Sequence, residues 1–147
     1  MAETKGSVDT TTFLNSLPTG LFIGGQWRQA SSGESFEVCN PATGDVLATL
    51  SSANSADAVA ALDAASKVQK EWARTSARER SEILTRAYQL VTERSEEFAT
   101  LMTLEMGKPL AEARGEVKYG AEHLRWFAEE TVRQHGHTQE GPEGGIP

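Results

Sequence analysis

The sequence has one cysteine, no excess of basic residues and no long apolar run, and each shortage excludes a class of protein. The single Cys39 among 147 residues cannot form a disulfide within the chain. Fourteen Lys and Arg against 21 Asp and Glu give a net charge of -7, which disfavours nucleic acid as a partner. No apolar run approaches the roughly 20 residues of a membrane-spanning helix, and the first 20 residues carry no signal-peptide pattern. We therefore expect a cytoplasmic protein with no nucleic-acid or membrane partner.

Motifs for phosphates and metals are also missing. No Gly-x-Gly-x-x-Gly follows a predicted strand, and Gly107-Lys108 lacks both the earlier glycine and the following Ser or Thr of a phosphate-binding loop. The chain has three histidines, of which His135 and His137 stand in a Gly-rich segment without further ligands nearby. The residues alone therefore indicate no catalytic, cofactor-binding or metal-binding residue.

The order of patterns along the chain predicts an α/β fold in which short strands precede four helices. Residues 1–20 are predicted to be a flexible leader, apart from a short docking turn at Phe13, Leu14 and Leu17. Residues 21–50 alternate in polarity around turns, including Gly24-Gly25, and predict a small antiparallel β region. Residues 55–134 have helical periodicity, and residues 135–147, with four Gly and two Pro, predict a disordered tail.

Capping residues divide the helical part. Ser55 is predicted to cap the first helix, whose apolar positions include Val59, Leu62, Ala65, Val68 and Trp72. Ser76 and Glu79 have the spacing of a capping box at the start of the second helix. Ser95 is predicted to cap the third helix, and Gly107 with Pro109 should end it.

The fourth predicted helix, residues 110–134, has two apolar faces. At about 100° per residue, one stripe carries small and aliphatic residues: Leu110, Ala113, Val117, Ala121, Leu124, Ala128 and Thr131. Tyr119, His123 and Trp126 lie on the opposite side. A helix with bulky groups on both sides is normally covered on both. We expect the three preceding helices to cover one face and another partner to cover the second.

Four groups on this chain have both a functional and a purely structural interpretation. His123 is either packed or faces a ligand, and the aromatic stripe is either a protein contact or one wall of a substrate channel. Cys39 is interpreted as a small core residue, because its strand offers no base to form a thiolate. The acidic residues of the last helix are interpreted as its solvated face, with some ion pairing to Arg114, Lys118 or Arg125: Glu112, Glu116, Glu122, Glu129 and Glu130.

Several segments in order resemble the N-terminal portion of the aldehyde dehydrogenase superfamily, and most of all its succinate-semialdehyde dehydrogenase branch. The resemblance extends over about residues 21–138. The matching stretches are residues 22–27 (FIGGQW), 38–46 (VCNPATGDV), 78–80 (RER), 101–113 (LMTLEMGKPLAEA) and 126–130 (WFAEE).

The resemblance implies a homo-oligomeric parent enzyme that oxidises an aldehyde, such as succinate semialdehyde, to a carboxylic acid with NAD or NADP. In the family a cysteine thiolate forms a thiohemiacetal, hydride transfer follows, and the resulting thioester is hydrolysed. The family's nucleophile, general base, oxyanion-binding Asn and cofactor loop have no match in this sequence, and Cys39 matches a structural position. We therefore expect an N-terminal fragment without a cofactor or turnover of its own.

The resemblance also places Tyr119, Gly120, His123 and Phe127 beside the substrate entrance, and Tyr119 and Trp126 become candidates for an interface. The alternative is a non-catalytic helical module that associates with full-length subunits through those aromatic residues. Residues 139–147 depart from the family pattern, and we interpret them as the product of a shifted reading frame, altered splicing or a truncated gene model.

Overall fold

The computed structural model describes residues 9–136 and confirms the α/β class, with two strand pairs followed by a helical region. The strands are β1 Leu21–Ile23, β2 Gln26–Arg28, β3 Ser35–Cys39 and β4 Val46–Ser51. The helices are α1 Thr10–Ser16, α2 Ser55–Trp72, α3 Ala77–Glu93, α4 Ser95–Met106 and α5 Leu110–Glu130, and a 3-10 turn, Thr131–Arg133, follows α5. The tail that was predicted to be disordered lies, beyond Gly136, outside the described residues.

The leader segment contains a helix that the sequence analysis did not predict. Residues 10–16 form α1, and the Thr12 hydroxyl donates a hydrogen bond of 2.5 Å to the Asp9 carboxylate. The segment after α1 is tied to the sheet region, because the Ser51 N–H donates to the Thr19 carbonyl at 2.9 Å. Residues 10–16 are therefore helical, residues 1–8 lie outside the described part of the chain, and the flexibility of the leader stays a prediction.

The predicted β region consists of two separate antiparallel hairpins. Gly24 and Gly25 join β1 to β2 with φ values of +61° and +81°, the left-handed conformation that a tight hairpin turn requires at both central residues. β3 pairs with β4 with a register shift between Val38 and Cys39. Cys39 is exposed, so its interpretation as a core residue is wrong. Successive residues of a strand point to opposite faces, and on β3 the half-buried side chain is that of Val38, the residue before Cys39.

A buried carboxylate joins the first hairpin to the start of α2. Asp57 is only 2% exposed, and both of its oxygens accept hydrogen bonds of 3.1 Å from the Ser31 N–H. The Arg28 guanidinium lies 3.6 Å from the same carboxylate. Burial alone would raise the pKa of Asp57, but the hydrogen bonds from Asn54 and Ser31 and the charge of Arg28 outweigh burial and lower that pKa.

Two of the predicted helix caps are displaced by one residue. Asn54, and not Ser55, caps α2, because its side-chain oxygen accepts hydrogen bonds from the first-turn N–H groups while the Asp57 side chain accepts from the Asn54 N–H. Ser95 is the first residue of α4, and the N-cap position belongs to Arg94, whose side chain makes no capping hydrogen bond. The Ser76–Glu79 capping box is confirmed, and so is the end of α4 at Gly107 in the left-handed conformation.

The core lies where α5 packs against α3 and α4. The predicted inner stripe of α5 is confirmed, since its small residues are buried: Ala113, Val117, Ala121, Ala128 and the following Thr131. Ala99 of α4 is also buried, and the Ser81 hydroxyl of α3 donates a 2.7 Å hydrogen bond to the Ala128 carbonyl. The α-helix ends at Glu130 rather than at residue 134. The Thr131 hydroxyl bonds back to the Phe127 carbonyl at this point, a contact that often bends helices.

The apolar face predicted for the first helix is not buried within the described chain. α2 packs against β1, but its larger apolar side chains remain exposed: Val59, Leu62, Val68 and Trp72. The same is true of Ile83 and Leu90 on α3, while Leu84, Ala87 and Val91 of that helix are half-buried. The helical period of these residues is therefore confirmed, but it did not identify which of them are covered.

Candidate functional site

The second face of α5 is the most exposed aromatic surface on the helices. Tyr119 is 69% exposed, Trp126 64% and Phe127 57%, and His123 is exposed between them. α3 and α4 pack on the opposite side of α5, against the alanine-rich stripe. The predicted two-faced helix is therefore present, and its bulky face is uncovered by the described residues.

Tyr119 and His123 form a pair one helical turn apart. Their ring centroids are 4.7 Å apart and the rings meet edge to face at 84°. The Nδ1 atom of His123 lies 3.0 Å from the Tyr119 carbonyl oxygen. A carbonyl oxygen only accepts, so this contact requires the proton on Nδ1. The Nε2 atom makes no hydrogen bond within residues 9–136 and is available to a ligand.

The predicted channel residues fall into two adjacent grooves. Tyr119, His123 and Phe127 line one groove of about 370 Å³, together with Trp126 and Glu122. Gly120 lines a second groove of about 640 Å³ between α5 and the neighbouring helices, where Tyr119 is the shared residue. The interface candidate Trp126 thus shares a groove with three of the four channel candidates.

Glu122 also lines this groove, although the sequence analysis did not select it as a site residue. It belongs to the acidic series on α5, and its carboxylate pairs with the Arg125 guanidinium at 2.5 Å. The sequence analysis gave Arg125 as one possible partner of this acidic series, and the i, i+3 spacing of the two opposite charges explains why Glu122 is the residue that pairs with it. The groove therefore contains one carboxylate that already has a cationic partner.

Other acidic residues of α5 are ion-paired as well. Glu116 contacts the Lys108 ammonium group, and Glu130 pairs with Arg133 at 2.5 Å. Arg114 pairs with none of the acidic residues of α5. It makes a two-pronged contact with Glu96 of α4, at 3.0 Å from Nε and 2.8 Å from Nη2, and these hydrogen bonds raise the pKa of Arg114.

The described residues do not form the phosphate cradle of a dinucleotide site. Glycines with positive φ lie in turns at positions 24, 25, 33 and 44 and at the end of α4 at position 107. None of them opens a helix directly after a strand, where the pyrophosphate of a dinucleotide is bound. Among residues 9–136 there is also no cluster of three or more His, Cys, Asp or Glu side chains placed to hold a metal ion.

No helix within residues 9–136 combines the length and apolar character that a bilayer requires.

Comparison with known proteins gives a consistent match. A family profile described as the aldehyde dehydrogenase family matches residues 27–145. The succinate-semialdehyde dehydrogenase of Paenarthrobacter nicotinovorans is 70% identical over 99 residues, which are 67% of this chain and 22% of that protein. The 3-sulfolactaldehyde dehydrogenase of Pseudomonas putida is 49% identical over 122 residues, 83% of this chain and 25% of that protein.

A solved structure agrees in fold as well as in sequence. The crystal structure of succinate-semialdehyde dehydrogenase from Burkholderia pseudomallei superimposes with a TM-score of 0.83 at 40% identity, over 93% of this chain and 28% of that one. The chain therefore spans about a quarter of the length of the curated relatives it matches. The profile match extends over most of the chain. The chain thus belongs to the aldehyde dehydrogenase family.

Proposed function

We propose that this chain forms the N-terminal portion of an NAD(P)-dependent aldehyde dehydrogenase similar to succinate-semialdehyde dehydrogenase. Its sequence identity of 70% with a relative of that name supports the branch. The observation within the structure that carries the proposal is the uncovered groove of Tyr119, His123, Trp126 and Phe127 on α5. A bulky helical face of this kind needs a second wall, which the remaining length of a full-length relative can supply.

In this proposal the groove on α5 is one wall of the substrate entrance. The rings of Trp126 and Phe127 provide apolar surface for a short carbon chain, whereas Tyr119 and His123 provide polar groups beside it. Gly120 lies in the neighbouring groove and leaves space there, since a Cβ atom added to it would meet no atom within 4 Å.

We assign the reacting groups to residues outside this sequence. Cys39 is exposed at the end of β3, and neither β3 nor its partner β4 contains a Lys, Arg or His that would stabilise a thiolate. The described glycines form no dinucleotide cradle, so the cofactor also belongs to the remainder of a full-length enzyme. When bound there, NAD or NADP accepts the hydride of the aldehyde oxidation. The 147-residue chain alone is expected to have no turnover.

The names of the relatives support a substrate class for the parent enzyme. Succinate semialdehyde and 3-sulfolactaldehyde are short aldehydes with an anionic group distant from the aldehyde, a carboxylate in the first and a sulfonate in the second. We assign the same class to the parent of this chain. Its homo-oligomeric assembly and its cytoplasmic location stay predictions from the sequence.

The test is to purify the native protein from its source and measure both its mass and its activity. NAD- and NADP-dependent oxidation is compared between succinate semialdehyde and butyraldehyde, an uncharged aldehyde with the same number of carbons. A protein much larger than 15.9 kDa that oxidises succinate semialdehyde supports the proposal. A larger protein without aldehyde oxidation contradicts the function, and a 15.9 kDa chain with turnover contradicts the assignment of the reacting groups.

The exposed aromatic residues also favour a second candidate, a non-catalytic module that binds full-length subunits. Exposed apolar patches of several hundred Å² usually mark contact sites, and Tyr119 and Trp126 are both more than half exposed. Co-expression with the full-length homologue tests this candidate. The candidate is supported if the chain co-purifies with the homologue, if Trp126→Ala abolishes this co-purification and if Trp27→Ala preserves it. Trp27 is the matched control because it is a comparably exposed tryptophan on the first hairpin.

A further inference from the structure

We infer that a cavity between α3, α4 and α5 binds a small aromatic carboxylate, with Lys118 contacting the carboxylate and Tyr88 contacting the ring. The cavity has a volume of about 320 Å³ and shares only Glu122 with the aromatic groove on α5. Small-molecule sites typically have volumes of roughly 300–1,000 Å³, so a ligand with a single ring suits this one. The inference goes beyond the proposed function and does not depend on it.

Each of the three helices contributes a wall of this cavity. Tyr88 lies on α3, Ser95 begins α4, and Lys118 lies on α5. Val117 and Ala121 of α5 form an apolar floor, because both line the cavity and are buried, with exposures of 7% and 4%. The packing of α5 against α3 and α4 forms the core of the helical region. The same packing therefore holds the walls of the cavity in place.

The charges that line the cavity favour an anionic ligand. Lys118 is a cation without a carboxylate partner in the described part of the chain. The two carboxylates of the cavity are each paired with an arginine: Glu96 with Arg114 at 2.8 Å, and Glu122 with Arg125 at 2.5 Å. An ammonium group donates up to three hydrogen bonds, so a ligand carboxylate can accept from Lys118 while its charge is attracted by the unpaired cation.

Two hydroxyl groups of the cavity provide further hydrogen-bond donors. The side-chain hydroxyls of Tyr88 and Ser95 make no hydrogen bond to any residue that the structure describes. The Thr92 hydroxyl also lines the cavity, but it already donates to the Tyr88 carbonyl at 2.8 Å. A hydroxyl without a partner in the protein is free to donate to a bound carboxylate. Ser95 and Tyr88 can therefore add to the contact made by Lys118.

The ring of Tyr88 favours an aromatic ligand over an aliphatic one. The Arg125 guanidinium lies 5.8 Å from the centroid of this ring, and Glu122 pairs with the same guanidinium. These contacts hold the tyrosine as a wall of the cavity. An aromatic ligand can stack on Tyr88 or meet it edge to face, and it also contacts the apolar floor. An aliphatic carboxylate of similar size gains the apolar contact alone.

Titration of the 147-residue chain with benzoate tests the site. The backbone amide signals are followed by NMR, with benzamide as a neutral aromatic analogue and cyclohexanecarboxylate as a non-aromatic anion. We expect benzoate to shift the signals of Ser95, Lys118 and Ala121, and we expect both analogues to bind more weakly. The inference is overturned if benzoate leaves these signals in place, or if either analogue binds as tightly as benzoate.

A pair of lysine variants tests the ionic contact. Lys118→Gln should weaken benzoate binding roughly fivefold, the most that an exposed ionic contact usually contributes, and should leave benzamide binding unchanged. Lys70→Gln is the matched control, because Lys70 is also an exposed helical lysine but lies on α2, outside the cavity. Both variants lower the net charge by the same amount. Equal losses of benzoate binding in the two variants would therefore refute the contact with Lys118.

Tyr88→Leu tests the contact with the ring. Leucine keeps an apolar wall at this position but provides no aromatic face, so the preference for benzoate over cyclohexanecarboxylate should disappear. The preference is a ratio measured within one variant, so a uniform change in the cavity does not alter it. A preference that survives Tyr88→Leu would contradict the contact between Tyr88 and the ring.

Discussion

Gly107 offers the sharpest test of how the hairpin region is joined to the helices. It ends α4 with φ +74°, and a Cβ atom added to it would lie 3.0 Å from Cγ of Pro41, in the turn between β3 and β4. Gly107→Ala should therefore destabilise the protein for two separate reasons. An L-residue in the left-handed region costs about 1–2 kcal/mol, and the crowded contact with the rigid proline ring adds about 1 kcal/mol.

Gly33→Ala isolates the first of these costs. Gly33 has nearly the same backbone conformation, φ +73°, but a Cβ atom there would meet no heavy atom within 4 Å. Both substitutions restrict the unfolded chain to the same degree, so that contribution cancels in the comparison. The free energy of unfolding should therefore fall about 1 kcal/mol further for Gly107→Ala than for Gly33→Ala.

Urea denaturation of the 147-residue chain, followed by circular dichroism, measures this difference. Pro41→Ala removes Cγ and retains Cβ, which lies 3.9 Å from the added methyl group, an ordinary contact distance. In a double-mutant cycle, Pro41→Ala should thus be less destabilising in the Gly107→Ala background than in the wild type. Equal losses for the two glycine variants, or purely additive effects in the cycle, would refute the close contact.

Three further substitutions test the helix packing, a cap and the buried carboxylate. Ala113→Leu should lower the free energy of unfolding by about 1–3 kcal/mol because its site is fully buried. Ala111→Leu, at an exposed site on the same helix, should change the free energy of unfolding by less than about 0.5 kcal/mol. Urea denaturation distinguishes the two variants, and equal effects would contradict the burial of Ala113. Ser76→Ala should cost about 1 kcal/mol by removing the cap of α3, and an unchanged urea midpoint would show that the cap contributes little. The pKa of Asp57 is lower in the folded protein than in the unfolded chain, where the pKa of an Asp is about 3.9. The ionised Asp57 therefore stabilises the fold above about pH 4, and this stabilisation is lost as the pH falls through the folded-state pKa. Acid should thus lower Tm more in the wild type than in Asp57→Asn, and parallel pH profiles would contradict this assignment.

The exposed aromatic face of α5 was largely predictable because it depends on the period of a single helix. Tyr119, His123 and Trp126 recur on one side of α5, and the spacing alone separates them from the alanine stripe. What could not be predicted is that Gly120 lies in a different groove from His123 and Phe127. That division depends on where α3 and α4 pack against α5, and the sequence of α5 contains no information about it.

Local hydrogen bonding explains which boundaries the sequence alone determined. The Gly24-Gly25 turn, the Ser76–Glu79 capping box and the stop at Gly107 each depend on residues within a few positions of one another, and the structure has all three. The cap of α2 is also local, but it lies one residue before the predicted Ser55. The Asn54 side chain accepts from the N–H groups of Ala56 and Asp57, and the Asp57 side chain accepts from the Asn54 N–H.

Only the tertiary structure decided which apolar residues are covered. Val59 and Leu62 of α2 have the period of a core-facing stripe and remain exposed, whereas Ala99 and Ala113 are fully buried. Asp57 was selected by no apolar pattern, yet it is buried. Ser31 and Arg28, distant in sequence, add a hydrogen-bond donor and a counter-charge to the local hydrogen bond from Asn54. Periodicity determines the direction of a side chain on its own helix or strand, but burial requires a second surface, and that surface comes from another part of the fold.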